Sequence, residues 1–163
     1  MDIAQRERWR AVALALLTDY VDCLDGGRFE EWPLLFAERC IYRVTSAENR
    51  ARGYPIALID CDSRGMLIDR VRALREANIY EAHACRHLLG PVVVREPPRD
   101  GVLSVRTGFA VVRTMRDGPG TLFATGEYLD RIQVGEGTVA PMFLEKTVVC
   151  DSSQIDTLLV YPL

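Results

Sequence analysis

Histidine is scarce in this chain, and its cysteines lack close spacing. The 163 residues contain two histidines and five cysteines, the latter at positions 23, 40, 61, 85 and 150. An odd number of scattered cysteines does not favour a disulfide framework. We therefore expect reduced, buried thiols of the kind that cytoplasmic proteins carry.

Long hydrophobic runs and a strong charge of one sign are also missing. Twenty Lys and Arg stand against 23 Asp and Glu, a net charge of −3, so neither nucleic acid nor an anionic membrane is an expected partner. The apolar run at residues 11–17 is far shorter than the roughly 20 residues of a membrane-spanning helix. Residues 1–6 are polar with no apolar core behind them, so we expect no secretory signal and a cytoplasmic location.

What remains is the composition of an ordinary globular protein. Apolar residues make up 48% of the chain and charged residues 26%. No repeat, low-complexity tract or linker interrupts the sequence, so we predict a single domain over residues 1–163.

The first half of the chain predicts helices. Apolar residues recur at helical period from Trp9 to Leu24, and Asp25-Gly26-Gly27 ends the pattern. A short second helix is predicted around residues 29–36, a strand at 40–45 and a loop at 49–55. A third helix is predicted over residues 63–78, with Asp62 or Ser63 as its N-cap.

The second half predicts long strands joined by tight turns. We place strands at residues 88–95, 102–115, 121–134 and 139–150, with turns at 117–120 and 135–137. Gly108 and Gly126 lie in mid-strand and predict bulges or bends. Helices followed by long antiparallel strands predict an α+β fold, and strands of this length twist strongly. We expect a curved sheet wrapped over the N-terminal helices: a cystatin-like cone of the nuclear-transport-factor-2 type.

Short strings over nearly the whole chain resemble the β subunits of Rieske-type aromatic-ring-hydroxylating dioxygenases. Each string is weak alone, but their order and spacing are specific. They include Phe29-Glu30-Glu31-Trp32, Tyr42-Arg43-Val44-Thr45, Met66-Leu67-Ile68-Asp69-Arg70-Val71, Arg86-His87-Leu88, Gly126-Glu127-Tyr128-Leu129-Asp130, Glu145-Lys146 and Cys150-Asp151-Ser152. Residues 74–81 and 156–159 most resemble subunits that serve terephthalate-like and benzoate-type substrates.

The resemblance implies a structural role. Such β subunits form a trimer that packs against three large α subunits, giving an α3β3 assembly. The α subunit carries a Rieske [2Fe-2S] cluster and a mononuclear non-haem iron, fed with electrons from NAD(P)H. The complex adds dioxygen to an aromatic ring, and no catalytic, cofactor-binding or metal-binding residue is expected in the β chain itself.

The histidine count supports this division of labour independently. A Rieske centre needs two Cys and two His, and a mononuclear oxygenase iron needs two more His and a carboxylate. This chain has only His83 and His87. The redox chemistry therefore cannot all reside here.

Two smaller metal hypotheses remain beside this interpretation. His83, Cys85 and His87 would share one strand face and could hold zinc, although an inert Cys85 and a hydrogen-bonded His87 explain them as well. Asp60 and Asp62 could bind a cation, but we favour capping of the third helix. Asp69, in the third helix, could be a catalytic carboxylate inside the cone, but we favour an ion pair of Asp69 and Arg70 within the chain or across subunits.

Two alternative functions follow from the cone itself. Tyr128 and Asp130 share a strand face, with Glu127 on the other, so they could act in a stand-alone isomerase or dehydratase. Otherwise Tyr128 packs in the core, and its hydroxyl finds a partner. A plain ligand-binding module would instead have an open apolar pocket without such titratable groups.

The long strands also supply candidates for a subunit interface. Arg106, Arg113, Arg131 and Lys146 lie on them and would suit ion pairing across subunits. An ordinary solvated face would look the same from the sequence.

Overall fold

The sheet is built from strands that are far apart in sequence. The computed structural model describes residues 1–77, 79–135, 140–154 and 159–163. The helices are α1 (Ile3–Asp25), a 3-10 helix (Trp32–Leu35), α2 (Ala47–Ala51) and α3 (Arg64–Glu76). The strands are β1 (Phe36–Ser46), β2 (Ile59–Cys61), β3 (His83–Val93), β4 (Val102–Met115), β5 (Gly120–Gln133) and β6 (Met142–Cys150). In the described part of the chain they form one sheet in the order β2-β1-β6-β5-β4-β3, with β1 and β6 parallel and the other neighbours antiparallel.

The helix ends follow from local side-chain chemistry. Asp2 and Gln5 form a reciprocal capping box at the start of α1, and Gly27 follows its end with a φ of 69°. Ser63 caps α3 through the Met66 amide, which confirms that predicted start. Ser46 caps the short α2 in the same way.

Several predicted elements are wrong in extent. The second helix is reduced to four 3-10 residues because Phe36 already begins β1 beside β6. The predicted loop at 49–55 includes most of α2, and β3 begins at His83, earlier than predicted. Asn78, Val139 and residues 136–137 of the predicted hairpin lie outside the described residues.

The core lies between α1 and one face of the curved sheet. Six rings form a chain of edge and tilted contacts with centroids 5.0–6.4 Å apart. They belong to Tyr20, Trp32, Phe36, Tyr42, Tyr128 and Phe143, and all are fully buried. The α+β prediction is therefore confirmed, and Tyr20, Trp32 and Phe36 lie in the core.

Gly126 is the point of closest approach between β5 and β6. A Cβ at this position would lie 2.0 Å from the Val149 carbonyl oxygen and 3.0 Å from Cys150 Cα. At Gly108 the nearest atom, the Gly126 carbonyl oxygen, is 4.0 Å away. Of the two predicted mid-strand positions, Gly126 requires glycine for space and Gly108 does not.

Among the described residues, no helix combines the length and apolarity needed to cross a membrane.

Candidate interaction surface and buried centre

The two faces of the sheet have opposite character. Tyr128 and Asp130 point to the face that α1 covers and are 0% and 2% exposed. The side chains of Glu127 and Arg131 point the other way and are 35% and 58% exposed. The predicted alternation of Tyr128 and Asp130 against Glu127 is therefore confirmed. We call the second face the outer face.

A groove of about 1080 Å³ lies along the outer face. Its floor comes from β1, β4, β5 and β6, and its walls from the segments around Tyr54 and Arg99. Six arginines line it: Arg43, Arg50, Arg95, Arg99, Arg106 and Arg131. Tyr54 and Ile56, 49% and 61% exposed, add an apolar rim. Arginine and tyrosine are enriched where proteins bind other proteins, so this is a candidate interaction surface.

Three of the groove's arginines, Arg50, Arg106 and Arg131, are held by long ion pairs, whereas Arg43 and Arg99 have closer carboxylate partners. Glu127 accepts from Arg106 at 3.5 Å and lies 3.6 Å from Arg50, while Arg131 lies 3.8 Å from Glu145. Exposed ion pairs at such distances contribute between zero and about 1 kcal/mol to the free energy of unfolding. The guanidinium groups of Arg50, Arg106 and Arg131 can therefore exchange partners at little cost when another protein surface binds.

The four predicted interface residues do not share one surface. Arg106 and Arg131 line the groove. Arg113, seven residues from Arg106 on the same strand, points to the opposite face and stacks on Phe123 at 4.6 Å. Lys146 is 0% exposed, so its predicted place in a subunit interface is wrong. A side chain without surface cannot contact a partner.

Lys146 instead forms a buried ion pair with Asp130. Its Nζ lies 3.1 and 3.3 Å from the two Asp130 oxygens and 3.8 Å from the Tyr128 ring centroid. Burial raises the pKa of Asp130 and lowers that of Lys146, and the opposite charge of each partner counteracts this. Burial also raises the pKa of Tyr128 well above its ordinary value.

This centre does not have the properties of an active site. Tyr128, Lys146 and their neighbours Tyr20 and Phe143 are all 0% exposed, so a substrate has no access to them. The Tyr128 hydroxyl has no hydrogen-bond partner among the described residues, contrary to our expectation.

A second buried polar contact joins the end of α1 to β3. Asp25 accepts from the His87 backbone amide at 3.0 Å and lies 2.6 Å from His87 Nδ1. The Asp25 side chain is 11% exposed and that of His87 1%. The sequence does not reveal this pairing, since Asp25 has the position of a helix-terminating residue and lies 62 positions from His87.

The predicted metal ligands have other partners. His83 Nδ1 lies 2.8 Å from the Glu81 carbonyl oxygen, and its ring packs 4.4 Å from that of Tyr161. Asp60 forms a bidentate bridge with Arg43 at 3.0 and 3.2 Å, so the predicted capping role of Asp60 is wrong. Within the described ranges, no three His, Cys, Asp or Glu side chains are grouped to hold a metal.

Asp69 and Arg70 are adjacent but have separate partners. Asp69 lies 3.7 Å from Arg72, whereas Arg70 donates to the Leu159 carbonyl oxygen at 3.2 Å. The ion pair predicted at Asp69 exists, and Arg70 has a different role.

All five cysteines are free and buried, as expected. Burial raises the pKa of Cys23 to about 12 and those of Cys40, Cys85 and Cys150 to about 11.

Comparison with known proteins identifies the family. Residues 21–157 match the family profile described as the ring hydroxylating beta subunit. The chain is 41% identical over 144 residues to terephthalate 1,2-dioxygenase terminal oxygenase component subunit beta 1 of Comamonas sp, covering 88% of this chain and 92% of that one. It is 36% identical over 146 residues to the anthranilate 1,2-dioxygenase small subunit of Burkholderia cepacia, covering 88% of both.

A solved structure shows the same fold. It is a chain from Novosphingobium aromaticivorans assigned as the β subunit of an aromatic-ring-hydroxylating dioxygenase. It superposes with a TM-score of 0.87 at 36% identity, over 99% of this chain and 100% of that one. The cystatin-like cone predicted from the strand pattern is therefore confirmed. With the fold and the sequence matches in agreement, this chain belongs to the ring-hydroxylating dioxygenase β-subunit family, whose members are components of oxidoreductase complexes.

Proposed function

We propose that this chain supports, in the cytoplasm, a large subunit that dihydroxylates an aromatic acid with electrons from NAD(P)H. The two curated relatives are named for terephthalate and anthranilate, both aromatic carboxylates. The chain forms a homotrimer that assembles with three large subunits into an α3β3 complex. Its own contribution is to hold the large subunits in position.

The observation that carries this proposal is the contrast between the two faces of the sheet. The inner face is filled and bears a closed ion pair, whereas the outer face offers a groove of about 1080 Å³ lined by six arginines. A protein that works through assembly needs such a surface and has no need of an open active site.

The donor set of this chain does not fit either iron centre. The His87 Nδ1 faces Asp25, and the His83 ring packs against Tyr161. The sequence has no other histidine, and among the described residues no three His, Cys, Asp or Glu side chains are grouped to hold a metal, so we infer that the four imidazoles of a Rieske cluster and a mononuclear iron come from another chain. We therefore place both centres in the large subunit.

Native mass measurement tests the proposal directly. The chain is purified alone and after co-expression with its large subunit, and light scattering and iron content are recorded for each. The proposal expects a trimer of about 55 kDa from the 18.3 kDa chain alone, or an equimolar complex with iron when the partner is present. A monomer that stays separate from the co-expressed large subunit would contradict it.

A further inference from the structure

Residues 159–163, which we call the inner segment, have no regular secondary structure; Val160, Pro162 and Leu163 are buried, and Leu159 and Tyr161 are half-buried. Val160 and Leu163 are 5% and 1% exposed. None of the five residues belongs to a helix or strand. Irregular chain normally stays at the surface because its backbone polar groups need water or partners. A buried irregular segment therefore needs partners from elsewhere in the protein.

Side chains supply those partners. The Tyr42 hydroxyl accepts from the Leu163 amide at 3.0 Å and donates to the Leu163 main-chain oxygen at 3.2 Å. The Tyr20 hydroxyl donates to the same oxygen. Arg70 donates to the Leu159 carbonyl oxygen at 3.2 Å. A protein recognises a bound small molecule in this way, with a few side-chain polar groups inside an apolar cavity.

The fit of the inner segment is incomplete on one side. A gap with no room for a water molecule separates Val160 and Pro162 from Trp32 and Arg70. The indole Nε1 of Trp32 is buried and has no hydrogen-bond acceptor among the described residues. A buried donor without an acceptor destabilises the folded state.

We propose that the interior of the cone is a binding site for a small hydrophobic carboxylic acid, which residues 159–163 occupy as an internal ligand. When the segment withdraws, the acid takes its place. The carboxylate accepts from the Tyr20 and Tyr42 hydroxyls, and its hydrophobic body fills the volume of Val160 and Leu163. This site is separate from the outer face and does not depend on the assembly proposed above.

The donor inventory favours a carboxylate over a neutral acceptor. Tyr20, Tyr42 and Trp32 offer hydrogen bonds, and Arg70 adds a permanent positive charge beside Leu159. Hydrogen bonds to an ionised acceptor are roughly twice as strong as those between neutral groups.

The test uses the full chain with its inner segment expelled. In the double variant Val160→Lys/Leu163→Lys, two ammonium groups would have to be buried without partners, so the segment moves into water. The matched control Ile3→Lys/Ile79→Lys adds the same charge at positions that are 79% and 97% exposed. N-acetylleucine and its neutral analogue N-acetylleucinamide are the probes, and the melting temperature is the readout.

N-acetylleucine at saturating concentration should raise the melting temperature of the expelled-segment variant by about 5 °C. The amide should give less than half of that rise, and neither probe should affect the control. Adding Tyr42→Phe to the expelled-segment variant should abolish the rise. Equal rises with acid and amide, or an equal rise in the control, would overturn the proposal.

The unaltered chain provides a second test that needs no variant. If the segment withdraws on its own, the Leu163 amide exchanges its hydrogen at least 100-fold faster than the Lys146 amide in the middle of β6. Equal exchange rates would mean that the segment opens only on global unfolding, and the site would then be closed to any ligand.

Discussion

Lys146 and Asp130 face each other across β5 and β6 with both side chains completely removed from solvent. Their strands place them directly opposite in register, and the ammonium lies 3.1 Å from one carboxylate oxygen. Three aromatic rings, of Tyr20, Tyr128 and Phe143, lie within 4.7 Å of the Lys146 Nζ. The buried charge of Lys146 is therefore stabilised both by the Asp130 carboxylate and by the faces of the aromatic rings.

Removing one member of this pair should be costly. We expect Lys146→Met to lower the free energy of unfolding by about 3–5 kcal/mol because Asp130 is left buried and unpaired. Equilibrium urea unfolding measures the loss. The double variant Lys146→Met/Asp130→Leu should recover most of it, since no charge then remains buried. If the double variant is as unstable as the single one, packing and not charge compensation explains the loss.

Gly126 and Gly108 form a matched pair for testing the close approach of β5 and β6. Gly126→Ala places a methyl group 2.0 Å from the Val149 carbonyl oxygen, so the strands must separate. We expect a loss of about 1–3 kcal/mol in the free energy of unfolding. Gly108→Ala, with 4.0 Å of clearance, should change it by less than about 0.5 kcal/mol. Similar losses from both substitutions in a urea titration would refute the steric explanation.

The buried thiols should make stability fall in alkaline solution. Burial raises the pKa of Cys85 from 9.0 to about 11 and that of Cys23 to about 12, whereas the same thiols ionise near pH 9 once unfolded. Between those values the folded state binds more protons, so its stability is full below pH 9 and declines as pH rises toward 11. The urea midpoint should therefore fall from pH 9 to pH 11.

A cysteine-deficient variant is the control for that pH dependence. Cys23→Ala/Cys85→Ala should show a shallower fall over the same pH range, because two of the groups responsible are gone. A thiol reagent at pH 8 should label the native chain slowly and all five cysteines after unfolding. Rapid labelling of the native protein would argue against burial as the cause.

The parts of the fold that follow from local chemistry were predictable. The stripe from Trp9 to Leu24 and the serine cap at Ser63 mark α1 and α3 because helix ends are satisfied by neighbouring side chains. The predicted second helix was wrong because a contact with a residue far away in the sequence decides the local structure there. Phe36 pairs with Phe143 of β6, and no pattern around residue 36 reveals that parallel partner.

The candidate site was predictable only in part for the same reason. Lysine in a strand suggests a solvated position, yet Lys146 alternates with Val148 and Cys150, which point inward. That period of two was a usable signal for burial. Two other features depend on how β3 and β4 pair with elements far away in the sequence: the Asp25–His87 contact and the orientation of Arg113. The local sequence does not show such long-range pairing.

Charge reversal in the groove tests whether the outer face binds other subunits. Arg131 is 58% exposed, and its nearest carboxylate, that of Glu145, is 3.8 Å away, so Arg131→Glu should leave the fold intact and change the melting temperature little. We expect it, and Arg106→Glu, to weaken assembly, because a partner that meets these guanidinium groups would meet carboxylates instead. Size-exclusion chromatography with a circular dichroism spectrum of each variant separates assembly from folding. Arg72→Glu is the matched control, because Arg72 on α3 is 65% exposed, against 58% for Arg131, and lies outside the groove. Unchanged elution of both groove variants would place the subunit interface elsewhere on the chain.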